Sequence, residues 1–306
     1  MGCCVLLSVT TTIRHDLVEL LWMDESAGGY RSLQGPWLVQ ALGGPTQAVI
    51  WALVGTTCTA ATALVFGVGG PWGGRLIAWI TLQGFIALSD VNSHAGGSDD
   101  ELLANALWLV VLSESTATLS VHCRLRFGTW MSERCVPAWP RYLAIIQILL
   151  MYSSTGMQKV SIHWIPGGDF SALYYILQQP SWQRIEMLWL APWFPVTQIA
   201  TAIAWAFEVF ATPLLLVSLW WRTTSAKAGR LRCWANRVDL RCWVLGVGVI
   251  LHLGIFATLE VGAFSWIVLG FYLSFFHPDE WKCTVPRWIQ RGSRSAQTIP
   301  LSPPPT

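Results

Sequence analysis

Five ionisable side chains stand inside or against long apolar runs of this chain: Glu114, Lys159, Glu208, His252 and Glu260. An ionised group at membrane depth is costly, so each needs a partner or a purpose. Lys159 follows the apolar stretch 141–157, whose end carries Tyr152, Ser153, Ser154 and Gly156 and is therefore polar and closely packable. A lysine there belongs either to an internal polar site or to the interface, to which its long stem lets it snorkel. Glu208 lies within Trp205-Ala206-Phe207-Glu208-Val209-Phe210, with Pro213 soon after, so a carboxylate occurs together with a backbone carbonyl freed by proline. That suits an internal polar site or a kink. His252, between Leu251 and Leu253, either bonds a neighbouring helix or faces a ligand, and Glu260 need not share its face. His94, Asp99 and Asp169 add further donors, but no HExxH-type spacing exists and no metal site is expected. The chain has no GxSxG elbow, no phosphate-binding glycine loop and no Cys–His protease signature.

The elements that must position these groups follow from composition. Of 306 residues, 53% are hydrophobic and only 12% charged, too little polar material to cover a soluble globule of this size. Apolar runs near 47–66, 73–89, 102–120, 141–157 and 195–221 approach the ~20 residues that cross a bilayer. The last block, 243–276, is too long for one helix and divides at Gly262 into 243–260 and 263–276. With a short or truncated first helix, interrupted by Arg14, His15 and Asp16, the pattern predicts an all-α, polytopic membrane bundle of about seven or eight transmembrane helices. The twenty tryptophans suit the headgroup layer on either side.

Lysine and arginine accumulate in cytoplasmic loops. Here they concentrate in loops 121–141 and 222–241 and in the tail after Trp281, with Arg75 on the same side. The expected localisation is the cell membrane, multi-pass, with both termini cytoplasmic and a disordered tail over 283–306. The opposite face receives 22–46, the acidic 90–101 and the long 158–193. In the last of these, Phe170 to Leu177 could lie as a short interfacial helix, either as a lid or as a plain connector. Eight cysteines without a CxxC pair predict neither a disulfide framework nor structural zinc. A net charge of +2 without a basic aromatic stripe excludes nucleic acid as the expected partner.

Several segments resemble the transmembrane domain of vitamin K-dependent gamma-carboxylase and its bacterial relatives, the horizontally transferred transmembrane (HTTM) family. Gly156-Met157-Gln158-Lys159 with His163-Trp164 and Gly167-Gly168 resembles the family's Gly-x-x-Lys element with its downstream Trp and Gly. His252 through Val261-Gly262-Ala263-Phe264 resembles its His followed by a Gly-x-Phe turn, and Phe276-His277-Pro278-Asp279-Glu280-Trp281 its closing pattern. Asn92-Ser93-His94 resembles an Asn-His pair in the corresponding outer loop, and Glu208 with Pro213 another helix of the family. The resemblance covers roughly 14–282.

The resemblance implies that Lys159 is the base that deprotonates reduced vitamin K or menaquinone, that Asn92 and His94 orient the hydroquinone oxygens, and that His252 sits in the helix core. It implies His163, Trp164, Glu208 and Glu260 as further substrate- or cofactor-binding residues. Only residues 282–306 follow Trp281, so the large lumenal domain of the carboxylase has no counterpart here, and a separate soluble outer domain or a secreted peptide becomes an expected partner beside the lipid bilayer. The shortened first helix raises a start internal to the gene product. Two functions stand: a quinone-dependent carboxylase-like enzyme, or a non-catalytic membrane protein for maturation of, or tolerance to, a secreted peptide. Transport has less behind it, because no inverted repeat is visible.

Overall fold

The computed structural model describes residues 1–132, 134–223 and 229–282. Among them the chain is all-helical, with only two isolated bridges, Asp24 with Arg31 and Gln183 with Leu259. It divides into two compact units, residues 1–140 with the segment from Phe276 onward, and residues 141–275. The expected tail 283–306 lies outside the described residues, as do Lys227, Arg287, Arg291 and Arg294.

The first unit contains α1 (Gly2–Arg14), α2 (Val18–Trp22), α3 (Trp37–Ala41), α4 (Gln47–Phe66), α5 (Gly70–Ser89), α6 (Ser98–Leu112) and α7 (Val121–Phe127). Small residues set its packing. Gly84 of α5 faces Thr57 of α4, and Gly2 of α1 faces the Ala61 carbonyl of α4, each so closely that a Cβ would collide. Gly67, in the left-handed region at φ +64°, stops α4, and Gly69 and Gly70 keep positive φ through the turn into α5.

The span expected over 102–120 is shorter. α6 ends at Leu112, where Ser113 turns extended and returns its hydroxyl to the Val110 carbonyl at 3.0 Å. Hydroxyl side chains compete with the helical ladder in this way. Glu114 consequently sits in a loop, paired with Arg134 at 3.0 Å.

The second unit contains α8 (Trp139–Gln158), α9 (Ala172–Leu177), α10 (Phe194–Thr223), α11 (Arg230–Val238), α12 (Leu240–Thr258) and α13 (Phe264–Tyr272); a closing turn, α14 (Pro278–Lys282), clusters with the first unit. α10 runs 30 residues through Pro213, and a 3-10 segment over Leu188–Trp193 leads into it. The block 243–276 breaks where expected, with Gly262 at φ +55°. One end of this unit is fastened by arginines. Buried Arg241 donates to the Phe275 carbonyl at 2.8 Å and to Asp239 at 2.8 Å, and Arg141 donates to the Ser274 carbonyl at 2.6 Å. These cations satisfy carbonyls at the end of the α13 segment that have no helical partner.

Three helices among the described residues are long and apolar enough to cross a membrane: α4, α10 with its leading 3-10 turn, and α12. The seven or eight crossings read from the sequence are therefore not all matched by helices of spanning character. α5 and α8 have 20 residues each but are diluted by glycine, Arg75, Arg141 and a run of hydroxyl and amide side chains. Phe264–Phe275 spans only about 18 Å at 1.5 Å per residue.

Candidate functional site

α8 and α10 are held together along a seam of small and hydroxyl-bearing residues. The Ser153 hydroxyl donates to Thr212 Oγ1 at 3.0 Å, and Thr212 Oγ1 donates to the Leu149 carbonyl at 3.0 Å. One turn further along α8, a Cβ on Gly156 would lie only 3.1 Å from the Glu208 carbonyl carbon, so the two backbones are in contact there. Any larger residue would push the helices apart.

Three residues on, just past the end of α8, the Lys159 ammonium forms an ion pair with Glu208 Oε1. The pair is mostly buried, with side chains 21% and 19% exposed. Trp164, whose backbone N–H donates to the Ser161 carbonyl at 2.9 Å in a turn, sets its indole centroid 4.3 Å from Lys159 Nζ, stacked on the cation. Glu208 Oε2 is buried and has no hydrogen-bond partner among the described residues.

These groups line one end of a cavity of about 470 Å³. Its walls are apolar, from Met151, Leu173, Ile176 and Leu177 to Ala200, Ala204, Ile250 and Ile255, with Phe207 and Phe264 adding ring faces. Tyr152 lies about two turns before the end of α8, with Lys159 just past that end. Tyr152 also lines the cavity. Its hydroxyl bonds His252 Nε2 at 2.9 Å and the Tyr272 hydroxyl. All three side chains are buried, and Gly248 leaves the space in which the Tyr272 hydroxyl sits.

The loop after Lys159 is shaped by glycine turns and by hydrogen bonds of its own. Gly167 has φ +92°, and a Cβ on Gly168 would collide with the Ile162 carbonyl, so both glycines are required by the turn. His163 Nδ1 bonds Ser171 Oγ at 2.7 Å and Asp169 at 3.1 Å. The Ser171 hydroxyl, with smaller help from His163, holds the exposed Asp169 carboxyl below its ordinary range. The expected short helix is α9, whose Leu173 N–H donates to Thr201 Oγ1 of α10 at 3.2 Å. At its far end the loop is clipped to the end of α12, where Arg184 pairs with both oxygens of Glu260 at 2.9 and 3.2 Å.

The structure thus brings Lys159, Trp164, Glu208 and His252 to one cavity. His163 braces the adjoining loop without lining it, and Glu260, half exposed, is engaged with Arg184. Asn92 and His94 belong to the first unit. There Asn92 is buried and its Oδ1 accepts from the His94 N–H at 3.2 Å, while His94 is exposed at a separate cavity of about 310 Å³ with Leu20, Tyr30 and Arg31. Tyr152 and Tyr272 were not singled out as site residues from the sequence. The signal that could have found Tyr152 is its place with Ser153, Ser154 and Gly156 at the polar end of an apolar run that leads to Lys159.

No group of three or more histidine, cysteine or acidic side chains suited to a metal ion occurs among the described residues. Comparison with protein-family models, curated proteins and solved structures finds no significant match to this chain.

Proposed function

We propose that this chain is an HTTM-like integral membrane protein that binds a reduced quinone of the vitamin K or menaquinone class in the cavity of its second unit, with Lys159 as general base. The observation that carries the proposal is the Lys159–Glu208 pair closing one end of an otherwise apolar and aromatic cavity. In this reading α4, α10 and α12 cross the bilayer, the shorter α5, α8 and α13 add three more of the seven or eight expected crossings, and the arginine-fastened end faces the cytoplasm.

The residues present fit such a ligand. Aliphatic and ring side chains suit a fused aromatic ring, and the orphaned, buried Glu208 Oε2 is an acceptor for a hydroxyl. When bound, a quinol supplies two electrons for reaction with dioxygen. The chain's own part is proton handling. The chemistry asks that the proton of the pair pass to Glu208, which leaves the Lys159 amine able to accept a hydroxyl proton. Trp164, stacked on the amine, covers one side of it. Asn92 and His94, in the other unit, have no role assigned by this cavity.

The test is turnover of reduced menaquinone under oxygen by detergent-purified protein, read as quinone epoxide. Wild type is expected to form epoxide and Lys159→Arg none, because a guanidinium keeps its charge but does not give up its proton. Equal activity of the two, or none in wild type, rejects Lys159 as the base.

A further inference from the structure

The buried triad Tyr272, Tyr152 and His252 contains more hydrogen-bonding information than the acid–base role of Lys159 uses. Two hydroxyl hydrogens and one imidazole hydrogen must be shared over two contacts, Tyr272 to Tyr152 and Tyr152 to His252 Nε2. If Nε2 donated to Tyr152, and Tyr152 to Tyr272, the spare hydrogen would sit on Tyr272, whose side chain is buried and does not line the cavity. The reverse order, in which Tyr272 donates to Tyr152 and Tyr152 donates to Nε2, moves the spare hydrogen to the imidazole of a residue that lines the cavity. A neutral imidazole that accepts at Nε2 carries its hydrogen on Nδ1. His252 Nδ1 is buried, has no partner among the described residues, and belongs to a side chain that lines the cavity.

We infer that His252 is a hydrogen-bond donor to a ligand oxygen remote from Lys159, so that the cavity selects an aromatic ring carrying two opposed oxygens. This deepens the quinol reading of the same cavity and rests on it. Lys159 with Glu208 takes one oxygen, and the tyrosine-fixed imidazole takes the other.

The experiment is quenching of intrinsic tryptophan fluorescence in the full-length, detergent-purified protein, Trp164 being in the cavity wall. The titrants are menadione, with two ring oxygens, and 1-tetralone, with one. Wild type is expected to bind menadione about fivefold more tightly than the one-oxygen ring, the size of one ordinary net hydrogen bond. In His252→Leu the preference falls to near unity, and in His252→Asn, whose amide nitrogen replaces Nδ1, it returns. If His252→Leu does not accumulate, Tyr152→Phe asks the same question, since without that hydroxyl the donor is no longer fixed at Nδ1 and the preference drops. An unchanged preference in these variants, or equal binding of both rings by wild type, overturns this inference alone; binding of neither ring by wild type overturns the quinol reading with it.

Discussion

The two units each line a cavity with acidic side chains, and they treat them oppositely. In the first unit Asp90, Asp100 and Glu101 gather with Ser89, Ser93 and Ser98 around a cavity of about 730 Å³, and no basic side chain lines it. Burial, and then the neighbouring Asp99 and Asp90, push the Asp100 carboxyl up to about 6, against one stabilising N–H from Gly97. In the second unit a single carboxylate, Glu208, is given a cation, and the cation is given a ring. Asp90 and Asp100, crowded without a counter-ion, hold their protons to higher pH than free carboxyls do, whereas Glu208 has a lysine beside it. The second arrangement is the one suited to acid–base chemistry on a ligand.

The contrast can be broken most forcefully at the pair. Glu208→Leu strands the Lys159 charge against apolar walls and is expected to cost about 3 kcal/mol of stability, as for other buried pairs that lose one member. The double variant Lys159→Leu with Glu208→Leu should recover most of that loss while binding no quinone. Thermal unfolding in detergent reads both. A double variant as unstable as the single one would show that the pair is not where the charge is compensated.

A smaller effect is expected in the first unit. A carboxyl whose folded pKa lies above its unfolded value makes the unfolded state the better acid, so stability falls as pH rises from about 4 to about 6 and stays reduced above that. Asp100→Asn should remove this slope and stabilise the protein at pH 7 by on the order of 1 kcal/mol, water screening of the partly exposed carboxyl being allowed for. Unfolding midpoints at pH 4, 5, 6 and 7 measure it, and an unchanged slope in the variant would assign it to another group. Least of all should change on breaking the exposed clip at the far end of the loop. Glu260→Gln is expected to cost no more than about 1 kcal/mol and to leave ligand binding intact, because that ion pair faces solvent. A large loss of quinone binding in this variant would make the clip part of the site.

Much of this arrangement is legible from residue types. Lys159, Glu208 and His252 stand out as ionisable groups in apolar runs, and the glycines at 262, 167 and 168 mark turns that only glycine makes easily. What pairs with what is not legible, since Lys159 and Glu208 are 49 residues apart and meet only because two backbones touch at Gly156. Tyr152 and Tyr272 pass as ordinary amphipathic residues of a membrane helix until their hydroxyls are seen in contact. The end of α6 is misread for a similar reason. Ser113, Ser115 and Thr116 scarcely lower an apolar average, yet a hydroxyl there diverts the backbone.

The contact at Gly156 has a consequence for how such a cavity diversifies. Because main chain rests on main chain, the spacing of amine and carboxylate does not depend on the side chains that pave the rest of the pocket. Leu173, Ile176, Ile250 and Ile255 lie elsewhere in the wall, where substitution changes the volume and outline offered to a ligand. Chemistry and ligand shape are thus written on separate residues, and a lineage can reshape the second without disturbing the first.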